Sequence, residues 1–223
     1  MNIVVINGSP KGRKSNTNVI VSSLLKGAEE AGAQTTNIFL SEKDIKHCTG
    51  CIVCWTKHPG RCIISDDVAE IIAKLGTANV IALATPVYFE NITSLLKAFI
   101  DRLTMIVNPY SYNNATYQKV SPQQERISQP PKLMMISNCG YPDKNNFDVL
   151  AHWYNRFVQN MHSESAGEIY VTRGKYLTSP PENKRLAVLE YLKIVEIAGK
   201  EIATNMKISG KAKQILDIPF ATE

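Results

Sequence analysis

Apolar positions along the chain alternate between short β-like runs and helical stripes. Residues 2–6 form a β-rich run that stops at Asn7-Gly8-Ser9-Pro10. From Asn16 onward, Ile20, Leu24, Leu25, Ala28 and Ala31 recur at helical spacing until Gly32. A second strand is expected over 34–40. A helix follows the carboxylates Asp66 and Asp67, with Asp67 and Glu70 placed as a capping-box-like pair. Residues 79–85 (NVIALAT) are almost continuously apolar, as in a strand covered on both faces, and Pro86 ends them. Ile92, Leu95, Leu96, Phe99, Ile100 and Leu103 then mark the sharpest amphipathic helix, whose polar face carries Thr93, Lys97, Asp101 and Arg102. The pattern continues with a strand over 132–137, a helix over 147–161, a strand over 168–172 and a long helix over 181–206.

Strict β/α alternation of this length predicts an α/β fold with an open, doubly wound parallel sheet. A closed barrel needs eight units and about 250 residues. Five strands in the flavodoxin-like order 2-1-3-4-5, with helices on both faces of a single domain spanning 1–223, satisfy the pattern. Two stretches interrupt it: a cysteine-rich insertion over 46–64, and residues 107–131 with Tyr110, Tyr112 and Tyr117. The latter exceeds the roughly 12–15 residues usual for an unstructured connection. A solvated insertion, a dimer arm and a lid over a ligand all remain open for it.

Composition narrows the function. Hydrophobic residues make up 44% and charged residues 20% of the chain, a globular balance without a long like-charge block. The net charge of +5 is scattered, and Lys11, Arg13 and Lys14 are its only tight group. That suits a phosphorylated small molecule better than nucleic acid. The first residues lack a basic flank and are too few for a signal peptide or a span, so a cytoplasmic protein with no membrane contact is expected. In that reducing setting five cysteines, an odd number, argue for metal, redox or buried thiols rather than a disulfide framework.

Ligands of such sheets bind outside the carboxyl ends of the strands where the strand order reverses. The loops at 8–17, 85–91 and 138–143 therefore hold the candidate site. The first, GSPKGRKSNT, offers hydroxyls from Ser9, Ser15 and Thr17, the Asn16 amide, the Lys11 cation and backbone N–H groups at a helix start. Together these make a phosphate seat, although Ser and Asn at such positions also cap helices. Gly8, Lys14 and Ser15 also fall near the register of a nucleotide P-loop. Arg13 stands where that motif has its second glycine, and Pro10 removes an N–H, so a P-loop-like nucleotide hydrolase ranks low.

GSPKGRKSNT, the C-x-x-C-x-x-C run leading to Asp66-Asp67-Val68, and ATPVYFENITSLLKAFIDR, in that order over 1–102, resemble the NADPH-dependent FMN reductase family. The likeness is strongest to its branch related to the iron–sulfur flavoproteins. The resemblance implies a flavodoxin-like fold that holds FMN non-covalently. Ser9, Lys11, Ser15, Asn16 and Thr17 would hold its phosphate. Pro86, Val87, Tyr88 and Phe89 would line the ring, and Asn138, Cys139, Gly140 and Tyr141 would supply its edge. For Tyr88 and Phe89 the alternative to lining the ring is core packing at a strand end. No catalytic side chain is required, because the flavin carries the chemistry. The implied activity passes electrons from NAD(P)H through FMN to a small acceptor such as a flavin, quinone or aromatic. The implied assembly is a homodimer or homotetramer.

Cys48, Cys51, Cys54 and Cys62 lie within fifteen residues. C-x₂-C-x₂-C spacing is closer to a ferredoxin run than to paired zinc knuckles. The fourth cysteine follows after seven residues, 55–61, and lacks the proline found after it in ferredoxins. A [4Fe–4S] cluster, bare thiols and zinc all stay open as readings. With a cluster the chain would instead be an electron-carrying iron–sulfur flavoprotein.

Overall fold

A computed structural model describes residues 1–106 and 130–219. Its strands are β1 (Asn2–Asn7), β2 (Gln34–Phe39), β3 (Val80–Pro86), β4 (Lys132–Asn138) and β5 (Ser165–Val171). All pair in parallel, in the order β2-β1-β3-β4-β5. The helices are α1 (Asn16–Glu30), α2 (Val68–Leu75), α3 (Ser94–Arg102), α4 (Asp148–Asn160), α5 (Arg185–Asn205) and α6 (Gly210–Leu216). This is the flavodoxin-like architecture that the alternation predicts.

Side chains alternate across a strand, and here both faces are covered. Ile3 and Val5 of β1 pack with α1, α5 and α6, whereas Val4 and Ile6 pack with α2, α3 and α4. All four are at most 1% exposed, and burial of such a side chain contributes about 1.5–3 kcal/mol. Two buried sides explain why the central strands β1, β3 and β4 read as nearly continuous apolar runs.

Several details depart from the sequence pattern for local reasons. β5 begins at Ser165, three residues earlier than expected, because Ala166 and Gly167 look unlike a strand. Ser165 pairs with Leu133 and Gly167 with Met134, so Ala166 is the extra residue of a bulge. A Cβ on Gly167 would lie 2.6 Å from Ile208 Cδ1, so a small residue is required there. The last long helix starts at Arg185 after a 3-10 turn at Glu182–Lys184. α6 was not expected at all; Ser209 starts it by accepting the N–H of Ala212.

The Asp67–Glu70 capping box does not form. Asp66 Oδ1 accepts the N–H of Val68 instead, Asp67 accepts that of Asp44, and Glu70 pairs with Lys74. Of the polar face expected for α3, the cap residue Thr93 and Arg102 are not solvated: both are 2% exposed. The expected insertion at 107–131 falls, apart from its last two residues, outside the described residues. Among the described residues no helix is long and apolar enough to cross a membrane.

Candidate functional site

The strand order reverses between β1 and β3, which brings the loops after β1, β3 and β4 to one edge of the sheet. Hydrogen bonds stitch them together. Gly8 N–H donates to Ala84 O at 2.8 Å, and Gly8 O accepts from Thr93 Oγ1 at 2.6 Å. Thr93 also caps α3 by accepting the N–H of Leu96. A Cβ on Gly8 would stand 2.6 Å from Leu96 Cβ, so only glycine allows this approach. Ser137 Oγ donates to Thr85 O, Val87 N–H to Asn138 O, and Thr17 Oγ1 to Asn138 Oδ1 at 2.7 Å. Thr17, Thr85, Thr93, Ser137 and Asn138 are all buried, so their mutual hydrogen bonds fix the loops' relative positions.

The loop after β1 turns through a 3-10 segment at Gly12–Lys14. The N–H groups of Gly12, Lys14 and Ser15 donate to the carbonyls of Ser9, Lys11 and Gly12. Spent internally, they cannot encircle a phosphate as a nucleotide P-loop does. Ser15 Oγ donates to Gly12 O and accepts from Asn18 N–H. That leaves the N–H groups of Asn16 and Thr17 without partners among the described residues, at the positive end of a 15-residue helix.

The side chains of those two residues face protein partners instead: Thr17 bonds Asn138, and Asn16 Oδ1 accepts from Thr178 Oγ1 at 2.7 Å. The donors open to an anion are therefore mainly backbone groups, where the sequence pointed to side chains. Ser9 is buried and donates its N–H to Asn7 Oδ1, while Asn7 Nδ2 is buried with no partner among the described residues. Lys11 and Lys14 are exposed. Arg13 is diverted to Glu42 through two bonds and lies 4.6 Å over the Phe39 ring.

After β3, Tyr88 and Asn91 exchange backbone hydrogen bonds across a tight turn, with Phe89 and Glu90 at φ 46 and 67. Such conformations cost non-glycine residues about 1–3 kcal/mol each. Tyr88 is 49% exposed and Phe89 fully so, which excludes core packing for both. Pro86 and Val87 are half-buried at the base of the turn. After β4, Cys139 turns its thiol into the core beside α4, donating to Tyr141 O, and burial pushes that thiol's pKa up. Gly140 and Tyr141 are exposed.

A fourth loop, after β5, was not foreseen. Gly174 N–H donates to Cys139 O and Arg173 N–H to Tyr141 O, and Thr178 reaches Asn16. Arg173 turns into this loop with a left-handed backbone, φ 51, a feature of the fold rather than of the residue order.

The cysteine segment lies beyond the end of α3. Cys48, Cys51, Cys54 and Cys62 all line one cavity together with Arg102, Thr104 and Met105. Trp55 Nε1 donates to Thr104 O at 2.7 Å. Cys51 is held below its ordinary value by the Val53 backbone first and Thr49 next, and burial followed by Cys62 pushes Cys54 up. The donor set suits a thiolate-bound metal or cluster in kind. Yet among the described residues no three His, Cys, Asp or Glu side chains stand close enough to hold a metal ion, so binding would draw the thiols inward.

A parallel sheet in this order, with an open helix N-terminus at its switch point, defines a flavodoxin-like protein. Residues 1–121, more than half of the chain, match the family described as NADPH-dependent FMN reductase, and the chain belongs to that family. It is 39% identical over 102 residues to an iron-sulfur flavoprotein of Methanocaldococcus jannaschii, covering 46% of this chain and 51% of that protein. The chain spans about half the length of the curated relatives it matches.

Among solved structures, an FMN-dependent NADH-azoreductase from Bacillus anthracis, in complex with FMN, is similar at TM-score 0.66 and 16% identity, over 91% of this chain and 99% of that one. An NAD(P)H:quinone oxidoreductase from Methanothermobacter marburgensis is similar at TM-score 0.64 and 14% identity, over 91% and 96%. At these identities the structures speak for the fold alone.

Proposed function

We propose that this chain binds FMN at the carboxyl edge of β1 and β3 and acts as an oxidoreductase taking electrons from NAD(P)H to a small acceptor such as a flavin, quinone or aromatic. The observation that carries the proposal is the pair of unpartnered N–H groups of Asn16 and Thr17 at the start of α1, beside Lys11 and Lys14. That end of the helix favours a phosphate dianion. Ser9 and the unpartnered Asn7 amide complete the polar side of the seat. The turn carrying Tyr88 and Phe89 offers exposed aromatic faces to a planar ring. Pro86 and Val87 exclude water beneath it. Asn138, Gly140 and Tyr141 bring backbone groups to the ring edge, while Cys139 contributes only its backbone, its thiol being in the core. When bound, FMN supplies two-electron and one-electron redox chemistry that no side chain here could supply.

Anaerobic purification, FMN titration and a visible spectrum test the proposal. Bound flavin gives bands at about 375 and 450 nm, and NADPH or NADH should bleach them. A protein that neither retains nor takes up FMN refutes the reading. A second reading, an electron carrier holding an iron–sulfur cluster beside the flavin, is supported by the four cysteines that share one cavity. Stoichiometric iron and sulfide, with no bleaching by NAD(P)H, would favour it. Gel filtration tests the homodimer or homotetramer that belongs to the same proposal.

A further inference from the structure

We propose that Arg102 is the positioning residue of the cysteine cavity: it ties both ends of the cysteine segment to α3 and keeps one N–H for a sulfur-borne negative charge inside. The inference rests on reading that cavity as a seat of sulfur chemistry, whether bare thiolates or a thiolate-held cluster.

Arg102 is the last residue of α3 and is 2% exposed. Its NH1 group donates to Lys46 O at 2.9 Å and to Asp66 Oδ2, and its NH2 group to Ile64 O at 3.3 Å and Asp66 Oδ1 at 3.2 Å. Lys46 and Ile64 flank the run from Cys48 to Cys62. One guanidinium thus closes the base of the loop, and Asp66 reinforces it by accepting the N–H of Lys46 at 2.9 Å. The planar fork matters here: a lysine ammonium could not span two carbonyls and a carboxylate at once.

Four of the five guanidinium N–H bonds have acceptors in this arrangement. The fifth, on Nε, is buried with no partner among the described residues, and Arg102 lines the cavity with all four cysteines. A buried N–H without an acceptor is costly, so it marks the place of an acceptor that this arrangement does not bring within hydrogen-bond distance. With Asp66 balancing the guanidinium charge, what Nε offers is a directed hydrogen bond, suited to a thiolate or cluster sulfur. Cys62 and Arg102 line the same cavity, and burial works against the charge on Arg102 while Asp66 and then Cys62 favour it and prevail.

The experiment compares the wild type with R102K, R102Q and the milder D66N in two arms. In the first, metal-free reduced protein is alkylated with iodoacetamide and each cysteine is followed by mass spectrometry, with buried Cys139 as the internal reference. R102Q cuts the ties to Lys46 O and Ile64 O and opens the loop, so labelling of the half-buried Cys54 and Cys62 should speed up by about tenfold, the scale of one lost hydrogen bond, the access gained outweighing the thiolate fraction lost with the Nε donor. D66N should do so less, and Cys139 should not change. In the second arm, protein reconstituted anaerobically with ferrous iron and sulfide is titrated electrochemically. R102K keeps the charge but loses Nε, and should disfavour reduction about tenfold, a shift of about 59 mV to lower potential for one electron.

If no iron is taken up, the cluster source fails while the labelling arm still decides the role of Arg102. Labelling within twofold of wild type in every folded variant would overturn the proposal. So would iron bound at an unchanged potential in R102K.

Discussion

The edge of the sheet and the cysteine segment are held in opposite ways. At the edge, buried hydroxyls bond amide and carbonyl groups across three loops: Thr17 with Asn138, Thr93 with Gly8, Ser137 with Thr85. The site is preorganised by many short bonds within the core. The cysteine segment carries no helix or strand, exposes Cys48 and Cys51, and is fastened chiefly by Arg102, Asp66 and the Trp55 indole. A distributed network should tolerate the loss of one member and pass the effect to its ligand. A segment hung on a single buried ion pair should lose its order all at once.

The largest expected effect comes from Asp66→Ala. Both partners of the Arg102–Asp66 pair are at most 1% exposed at their side chains, so the change leaves a buried guanidinium uncompensated. The expected loss is about 3–5 kcal/mol in chemical denaturation. It should come with faster hydrogen exchange over 46–64 and little change in FMN affinity. Burial opposes ionisation of Asp66, but the Arg102 hydrogen bond and the Lys46 and Val68 N–H groups outweigh it and hold the carboxyl below its ordinary 3.8. The folded value is the lower one, so the stabilisation is complete above the ordinary value and disappears as pH falls through the folded value. Stability measured against pH should therefore lose this acid-side slope in the variant. If FMN affinity fell as steeply as stability, the two regions would not be separate.

The same contrast decides what could be read from residue order. The central strands, covered on both faces, announce themselves as apolar runs, and GSPKGRKSNT suggests the proposed anion seat by packing hydroxyls and cations before a helix. Neither signal names partners. Thr17 meets Asn138 across 121 positions, a choice only the folded sheet makes. Arg102 occupied a polar stripe of α3 and looked solvated, because periodicity cannot tell a polar residue facing water from one facing a carboxylate. β5 lost its first residues to Ala166 and Gly167, whose small size serves the bulge and the Ile208 contact rather than strand propensity.

A smaller effect is expected at the edge. Thr17→Val keeps the shape but removes the donor to Asn138 Oδ1, leaving a buried carbonyl unsatisfied at about 1–3 kcal/mol. Val87 hangs on the same Asn138, so the loops after β1, β3 and β4 should loosen together. The FMN dissociation constant should rise about tenfold, the equivalent of 1.4 kcal/mol. Cysteine labelling rates should hold at wild-type values. A changed rate at Cys54 or Cys62 would mean that the network reaches further than its hydrogen bonds.

The smallest effect should have the opposite sign in stability. Phe89 sits at φ 46 and is fully exposed, so its ring contributes no core packing to offset the strained backbone. Phe89→Gly relieves a left-handed conformation worth about 1–2 kcal/mol. Part of that gain is returned through the greater freedom of the unfolded glycine, about 0.4–1 kcal/mol. The net expectation is a stabilisation of about 0.5 kcal/mol, read as a small rise in melting temperature of the FMN-free protein. If the turn is kept strained to present an aromatic face, the same variant must bind FMN more weakly and lose flavin faster on dilution. A variant both more stable and equally able to hold FMN would show that the strain at 89 and 90 serves something other than the flavin.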